Sequence, residues 1–215
     1  MSRSTIKITE IFYSLQGETT LQGLPTVFIR LTGCPLRCQY CDTEYAFYGG
    51  EDRELSDILE EVAKFNPCFV TVTGGEPLAQ KACLELLTLL CNNDYTVSLE
   101  TSGALDISRV DSRVIRIVDI KTPGSGESLK NRYANIEILS STDQVKFVIC
   151  NKQDYEWAKA MIDEHQLPEK CEVLFLPSHH QVKIKELAEW VLNDRLNVRV
   201  QMQMHKLIWG DLPGK

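Results

Sequence analysis

The chain has 215 residues, of which 43% are hydrophobic and 25% charged, a composition typical of one folded domain and unlike that of disordered or fibrous proteins. Its formal net charge of -7 argues against general attraction to phosphate backbones, so we expect a small-molecule substrate and no nucleic-acid partner. The N-terminus lacks the apolar core of a signal peptide, and no stretch approaches the roughly 20 apolar residues that cross a bilayer, which predicts a cytoplasmic protein with no membrane attachment.

Short apolar runs alternate with amphipathic stretches along the chain, the pattern of strands and crossover helices around a parallel sheet. In chain order, strands are predicted at residues 7–13, 27–31, 69–73, 96–100, 114–120, 144–150, 172–176 and 198–202. Helices are predicted from the spacing of apolar residues at 54–65, 79–91, 154–165 and 182–192.

Two segments between the predicted strands, 102–114 and 122–143, are too short or too broken for full crossover helices. The fold class predicted is therefore α/β, an incomplete, trimmed (β/α) TIM-like barrel with parallel strands. Functional loops in such folds follow the carboxyl ends of the strands, so the residues after each strand are the candidates for chemistry.

Eight cysteines in a chain expected to stay reduced serve as core residues, metal ligands or reactive thiols. Three of them, Cys34, Cys38 and Cys41, stand on one loop directly after the first core strand, at the spacing Cys-x3-Cys-x2-Cys. Chance would produce such a triple about 0.01 times in a chain of this cysteine content. The other five lie singly in apolar segments and are predicted to be buried like small hydrophobic residues: Cys68, Cys83, Cys91, Cys150 and Cys171.

Three thiolates on one loop are soft ligands, which select iron-sulfur clusters, zinc or copper(I). A [4Fe-4S] cluster ordinarily takes four cysteine ligands, so three of them leave one iron open. The amino and carboxylate groups of S-adenosylmethionine can bind an open iron, and electron transfer into the sulfonium then gives the 5'-deoxyadenosyl radical. A structural zinc site is the alternative, although no fourth Cys or His stands nearby at a suitable spacing.

A second motif, Thr73-Gly74-Gly75-Glu76-Pro77, ends the strand at 69–73. Its glycines can expose backbone groups to a ligand, Glu76 offers a carboxylate to a cationic ammonium group, and Pro77 suits a first helical turn. Taken alone, the motif could equally be a tight strand-to-helix connection.

The cysteine triple and this turn together resemble the signature of the radical S-adenosylmethionine superfamily, in which an aromatic residue before the last cysteine, here Tyr40, lies near the adenine. Over nearly the full chain the sequence also resembles the 7-carboxy-7-deazaguanine synthase family of the queuosine and 7-deazapurine pathway. That resemblance rests on residues 11–18, 23–30, 41–43, 73–77, 100–103, 119–123 and 205–206.

The resemblance implies conversion of 6-carboxy-5,6,7,8-tetrahydropterin into 7-carboxy-7-deazaguanine with release of ammonia, by a [4Fe-4S] cluster and a recycled S-adenosylmethionine. It implies a Mg2+ ion held by Thr43, a homodimer and a reducing electron donor of the flavodoxin type. One radical SAM domain would span residues 1–215, with a substrate-binding extension at 1–26 and a segment near the site at 203–215. The implied contacts to S-adenosylmethionine are Tyr40, Cys41, Asp42, Gly75, Lys121 and the segment around Pro177.

A pterin presents amide-like edges and a carboxylate, so polar side chains and backbone groups are expected to recognise it. Arg30 would pair with the carboxylate and His205 would close the other side. The residues expected to read the ring are Gln16, Glu18, Thr73 and the backbone of Leu15 to Gly17.

From the residues alone, structural alternatives stay open for several of these positions. Residues 16–18 could form a plain hairpin turn, and Arg30 could be a surface charge or half of an ion pair. Asp42 or Thr43 could cap a helix.

Two other functions also stay open. Glycyl-radical activating enzymes share the small size, the cysteine triple and the Gly-Gly-Glu-Pro turn, but act on a protein backbone. Residues 12–18 and the late His205-Lys206 favour the synthase over them. The non-enzymatic alternative is a binding module in which the cysteines hold zinc.

Overall fold

The computed structural model describes residues 4–179, 181–210, 212 and 214; the remainder, which includes residues 1–3 of the predicted extension and three residues of the segment 203–215, lies outside the described residues. The strands within this part are β1 (Thr5–Leu15), β2 (Pro25–Leu31), β3 (Glu51–Glu54), β4 (Phe69–Gly74), β5 (Thr96–Thr101), β6 (Ile115–Asp119), β7 (Gln144–Ile149), β8 (Glu172–Pro177) and β9 (Arg199–Val200). The helices are α1 (Leu55–Lys64), α2 (Ala82–Asn92), α3 (Lys152–His165), α4 (Leu167–Lys170), α5 (Ile184–Asp194) and α6 (Met204–Trp209). None of the helices described is long and apolar enough to span a membrane.

The strands form one sheet in the order β3-β1-β2-β4-β5-β6-β7-β8-β9. From β2 to β9 all neighbours pair in parallel, whereas β1 is antiparallel to β2 and β3 is antiparallel to β1. Among the described residues no α-helix lies at 102–114 or 122–143, the two segments predicted to lack full crossover helices; the second contains only short 3-10 helices, the longest being Tyr133–Ile138. The predicted α/β fold, an incomplete barrel of parallel strands, is confirmed.

The predicted strands and helices agree with the structure to within two residues at each end, except for the start of one helix. The strand predicted at 198–202 is present as the short β9, Arg199–Val200, after which the N–H of Gln201 donates to Phe175 at 2.9 Å and its side chain to the carbonyl of Thr19 at 2.6 Å. The helix predicted at 79–91 begins only at Ala82, because a separate tight turn occupies Pro77–Ala79. The short elements β3, α4 and α6 were not predicted.

Side chains on the parallel strands alternate between an apolar outer face and a polar inner face. In β4, Val70 and Val72 belong to the hydrophobic core. Thr71 and Thr73 lie on the opposite face, where Thr71 forms hydrogen bonds with Gln16 and Ser98 and Thr73 lines the barrel interior. The core therefore lies between the sheet and the helices, where the main helix residues are Ile58, Val62, Leu86, Leu87, Leu90, Tyr155, Ala158, Ile162, Leu187 and Val191. The interior of the barrel carries several buried charged groups beside apolar side chains such as Phe28, Ile117 and Val148.

The loop between β1 and β2, residues 16–24, closes the amino-terminal end of the barrel. The backbone N–H of Thr20 donates at 3.0 Å to Oε1 of Gln144, which is the first residue of β7. The N–H of Met204 donates to the carbonyl of Gly17 at 2.9 Å, which ties α6 to the same loop. This hairpin loop therefore contacts both β7 and α6.

Candidate active site

A pocket occupies the barrel interior, with the cysteine loop at one end and the hairpin loop at the other. Glu76 does not line it. The remaining residues predicted for the site all do: Leu15, Gln16, Gly17, Glu18, Arg30, Cys34, Cys38, Tyr40, Cys41, Asp42, Thr43, Thr73, Gly75, Lys121, Pro177 and His205.

The three cysteines of the loop are free, half-buried thiols on the wall of this pocket. Backbone hydrogen bonds hold their loop, from the N–H of Gly33 to the carbonyl of Ala46 at 2.8 Å and from that of Gln39 to Ser125 at 3.0 Å. Burial raises the pKa of Cys34 and Cys41, and raises that of Cys38 to about 11, so binding a metal centre must displace the thiol protons.

The donor set fits an iron-sulfur cluster. Cysteine thiolates are the ligands of iron-sulfur clusters, and the three thiols of this loop lie on the wall of one pocket. The same wall carries two buried polar atoms that have no protein hydrogen-bond partner among the described residues, the hydroxyl of Tyr40 and Oδ1 of Asp119. Both atoms can bind a polar ligand beside the cluster.

Of the other cysteines, Cys83, Cys91, Cys150 and Cys171 are buried as predicted. The prediction is wrong for Cys68, which is exposed. Cys68 precedes β4, and its carbonyl, not its side chain, is engaged by the N–H of Thr96 at 2.9 Å.

The glycine pair of the turn packs against the cysteine loop. The N–H of Gly75 donates to Leu31 at 3.2 Å and that of Glu76 to Gly33 at 2.8 Å, so these two N–H groups already have protein partners. A Cβ on Gly75 would lie 2.2 Å from the carbonyl oxygen of Gly33. The structure thus gives a different reason for glycine at 75 from the predicted exposure to a ligand, namely close contact between two backbones.

The carboxylate of Glu76 is fully buried and bonded within the protein. It accepts from the N–H of Leu78 at 3.0 Å, from the hydroxyl of Thr101 at 2.9 Å, and from both the N–H, at 2.7 Å, and the hydroxyl of Ser102. Glu76 therefore joins the turn after β4 to the end of β5. Its role toward a ligand ammonium group stays a prediction.

We expect Glu76→Ala to lower the free energy of unfolding by at least about 3 kcal/mol, because it leaves several buried donors without an acceptor. The exposed Glu137, which pairs with Lys170 at 3.3 Å, is the matched control, and Glu137→Ala should cost less than about 1 kcal/mol. Anaerobic urea unfolding measures both. Equal losses for the two variants would contradict the structural role of Glu76.

At the hairpin end, residues 16–18 form a turn and also present side chains to the pocket. Nε2 of Gln16 donates to Thr71 at 3.2 Å and to Glu100 at 3.3 Å, while its Oε1 accepts from the N–H of Glu18 at 3.2 Å. The carboxylate of Glu18 accepts from Lys146 at 3.0 Å and from Gln203 at 3.0 Å. The hairpin alternative and the binding alternative are thus compatible.

Charged groups continue from Glu18 across the barrel. Lys146 lies 3.6 Å from Asp119, which pairs with Lys121 at 3.0 Å, and the ammonium of Lys121 lies 5.8 Å from the ring centre of Tyr40. Burial acts to lower the pKa of Lys146, but Glu18, Asp119 and Glu100 outweigh it and hold that pKa well above its usual value. Both lysines are therefore cations at neutral pH, since the pKa of Lys121, which burial also acts to lower, is raised by Asp119.

The pocket residues that were not predicted for the site include Glu100, Asp119, Lys146 and Gln203. For three of them a sequence signal exists, because Glu100, Asp119 and Lys146 are charged residues within predicted strands of a parallel sheet. Strands buried on both faces read as continuous apolar runs, so a charged residue within one indicates a polar cavity. For Gln203, no local pattern distinguishes it from a surface residue.

Arg30 takes part in an ion pair and also faces the pocket. Its Nε donates to Glu10 at 2.7 Å, and its guanidinium lies 5.7 Å from the ring centre of Phe12 and 5.8 Å from that of Tyr45. Among the described residues the terminal nitrogens of Arg30 meet no hydrogen-bond partner. They remain available to an anionic ligand.

Thr43 and Asp42 follow the last cysteine. The hydroxyl of Thr43 donates to Oδ1 of Asp42 at 2.9 Å and does not cap the short turn that begins at Glu44. Burial acts to raise the pKa of Asp42, but Lys206 at 3.0 Å and hydrogen bonds from Thr43 and Gln203 hold it below its usual range.

His205 stands on α6 against the hairpin loop. A Cβ on Gly17 would lie 2.1 Å from Nδ1 of His205, so the absence of a side chain at 17 lets the imidazole approach the loop. Through His205 and Lys206, α6 contacts both ends of the pocket.

The chain is similar to several known proteins. Residues 28–191 match the model of the radical SAM superfamily. The chain is 44% identical to the 7-carboxy-7-deazaguanine synthase of Chlorobaculum tepidum, over 97% of this chain and 96% of the relative, and 42% identical to that of Koribacter versatilis, over 95% and 97%. The crystal structure of QueE from Escherichia coli shares the fold, with a TM-score of 0.78 at 23% identity over 94% of this chain and 95% of that one. The chain therefore belongs to the radical SAM superfamily and, within it, to the family of 7-carboxy-7-deazaguanine synthases.

Proposed function

We propose that the chain converts 6-carboxy-5,6,7,8-tetrahydropterin into 7-carboxy-7-deazaguanine with release of ammonia. The observation that carries this proposal is one pocket with three half-buried cysteines at one end and the amide and carboxylate of Gln16 and Glu18 at the other. Its curated relatives, named for the same product, favour this reaction over glycyl-radical activation and over a zinc-binding module.

Membership of the superfamily implies a [4Fe-4S] cluster and S-adenosylmethionine, and Cys34, Cys38 and Cys41 are the residues that would hold the cluster. When bound, the cluster supplies the electron that cleaves S-adenosylmethionine to an adenosyl radical. Tyr40 offers an aromatic face and a buried hydroxyl to this cofactor, and Lys121 offers a cation. Asp42, Gly75 and Pro177 line the same end of the pocket.

At the other end, the chain presents donors and acceptors suited to the edges of a pterin. Gln16 and Glu18 would read the ring together with Thr73, whose hydroxyl donates to Glu100 at 3.3 Å. Arg30 would pair with the substrate carboxylate through its terminal nitrogens. His205, on α6, would enclose the bound substrate.

We further propose that Thr43 contributes its hydroxyl to a Mg2+ ion beside the substrate carboxylate. Mg2+ prefers six oxygen ligands and retains several waters, so one hydroxyl with substrate oxygens and water completes a reasonable set. The position of Thr43 on the pocket wall supports this assignment. The homodimer and the flavodoxin-like donor stay predictions from the resemblance.

The test is anaerobic incubation of the reconstituted protein with reductant, the carboxytetrahydropterin and S-adenosylmethionine below the pterin concentration. We expect 7-carboxy-7-deazaguanine, identified by mass, in molar excess over S-adenosylmethionine, because a recycled cofactor is not consumed. Cleavage of S-adenosylmethionine without the deazaguanine product would overturn the proposal. Omitting Mg2+ should slow the reaction, and an unchanged rate would contradict the metal assignment.

A further inference from the structure

Lys146 is a buried cation in the middle of β7, between the two ends of the pocket. Its ammonium lies 3.0 Å from Oε2 of Glu18 and 3.6 Å from Oδ2 of Asp119, and its side chain is 11% exposed. We propose that Lys146 is a positioning residue that fixes the Glu18 carboxylate for recognition of the pterin ring. This inference rests on the proposed function.

The geometry at Glu18 leaves room for a ligand. Lys146 donates to one carboxylate oxygen and Gln203 donates to the other, each at 3.0 Å. Each oxygen has two acceptor sites, so each retains one for an N–H group of a pterin. Two fixed donors thus hold the carboxylate in one orientation while it still accepts from the substrate.

Lys146 also supplies the charge that Glu18 needs. A buried carboxylate without a counter-charge is costly, and Asp119 and Glu100 add further negative charge nearby. Without Lys146, Glu18 would retain only the neutral amide of Gln203 and would be repelled by its neighbours. We therefore expect it to turn away from its present position.

The cofactor end is less dependent on Lys146. Asp119 pairs more closely with Lys121, at 3.0 Å, than with Lys146, at 3.6 Å. The Asp119–Lys121 pair therefore persists when Lys146 is removed. Loss of Lys146 should weaken substrate binding far more than binding of S-adenosylmethionine, which a general loss of structure would not do.

A role for Lys146 in moving protons is a different mechanism. The raised pKa of Lys146 keeps it in the ammonium form near neutral pH, because Glu18 and Asp119 stabilise that form. An acid that holds its proton this firmly is a poor general acid at neutral pH. The geometry points to orientation of Glu18 instead.

The first experiment compares Lys146→Met with Lys170→Met, a matched change at a surface pair with Glu137. Calorimetric titration of the cluster-loaded protein without reductant measures dissociation constants for the carboxytetrahydropterin and for S-adenosylmethionine. We expect Lys146→Met to weaken pterin binding about 10- to 100-fold, as for a misplaced binding group. S-adenosylmethionine binding should change by less than about threefold, and Lys170→Met should change neither constant by more than about twofold.

The second experiment repeats Lys146→Met in a Glu18→Gln background. If Lys146 acts through Glu18, adding Lys146→Met to the Glu18→Gln protein should weaken pterin binding by less than about a further threefold. An equal loss in both backgrounds, or no loss in the wild-type background, overturns the proposal. So does an equal weakening of pterin and S-adenosylmethionine binding.

Two measurements complete the test. If Lys146→Met does not fold, Lys146→Arg replaces it, because this variant keeps the cation. Lys146→Arg should fold, and it should bind the pterin at least about tenfold more tightly than Glu18→Gln does. A Lys146→Arg protein that does not fold, or that binds the pterin less tightly than this, overturns the proposed role of Lys146. Wild-type titration separates the two proposals, since a wild type that does not bind the pterin refutes the proposed function. A wild type that binds it no better than Lys146→Met refutes the role of Lys146 alone.

Discussion

Cys38→Ala should lower kcat/KM for the deazaguanine-forming reaction by at least about 1,000-fold, equivalent to about 4 kcal/mol of transition-state stabilisation. The two remaining thiols cannot hold a cluster that needs three protein ligands, so the electron source for cleavage of S-adenosylmethionine is lost. The fold should persist, because the loop is held by backbone bonds such as that from Gln39 to Ser125 and not by the thiol of residue 38.

Iron content, visible absorption and circular dichroism of anaerobically reconstituted protein measure this outcome. Wild type should contain about four irons per chain, and Cys38→Ala far fewer with an unchanged far-ultraviolet spectrum. Cys68→Ala is the matched control, because Cys68 is an exposed thiol that does not line the pocket, and it should retain full iron content and activity. A Cys38→Ala protein with normal turnover would refute the ligand assignment.

Gly75→Ala should lower kcat/KM by about 100-fold or more, although the new side chain carries no charge and removes no donor. Its Cβ would lie 2.2 Å from the carbonyl oxygen of Gly33 and 2.8 Å from Cβ of Cys34. Both atoms belong to the start of the cysteine loop, so the loop must move by about 1 Å to restore ordinary contact. A displaced loop presents its thiols in the wrong places.

The measurement for Gly75→Ala is kinetic analysis with iron content and thermal unfolding. Gly49→Ala is the control, since a Cβ there meets nothing within 4 Å although the backbone φ is +79°. It should cost about 1 kcal/mol of stability from backbone strain while leaving iron content unchanged. Similar iron content and activity in both variants would show that the contact between residues 75 and 33 does not position the cluster loop.

Much of the fold follows from local patterns. Apolar residues at three- and four-residue spacing place α1 correctly, and short apolar runs place the parallel strands, because these patterns depend only on which face of an element is buried. The short C-terminal helix α6 escaped prediction for the opposite reason. It is held by contacts to Gly17 and Asp42, which are distant in the chain.

The site divides in the same way. The sequence alone identified the cysteine loop and the family, since the spacing of Cys34, Cys38 and Cys41 is a local property. Two other features become visible in the folded chain alone: Glu76 links the turn after β4 to the end of β5 by hydrogen bonds, and Lys146 lies between Glu18 and Asp119. The physical reason is that an ion pair or a buried hydrogen bond depends on which strands lie side by side, and the order of strands in the sheet is set by packing of the whole chain.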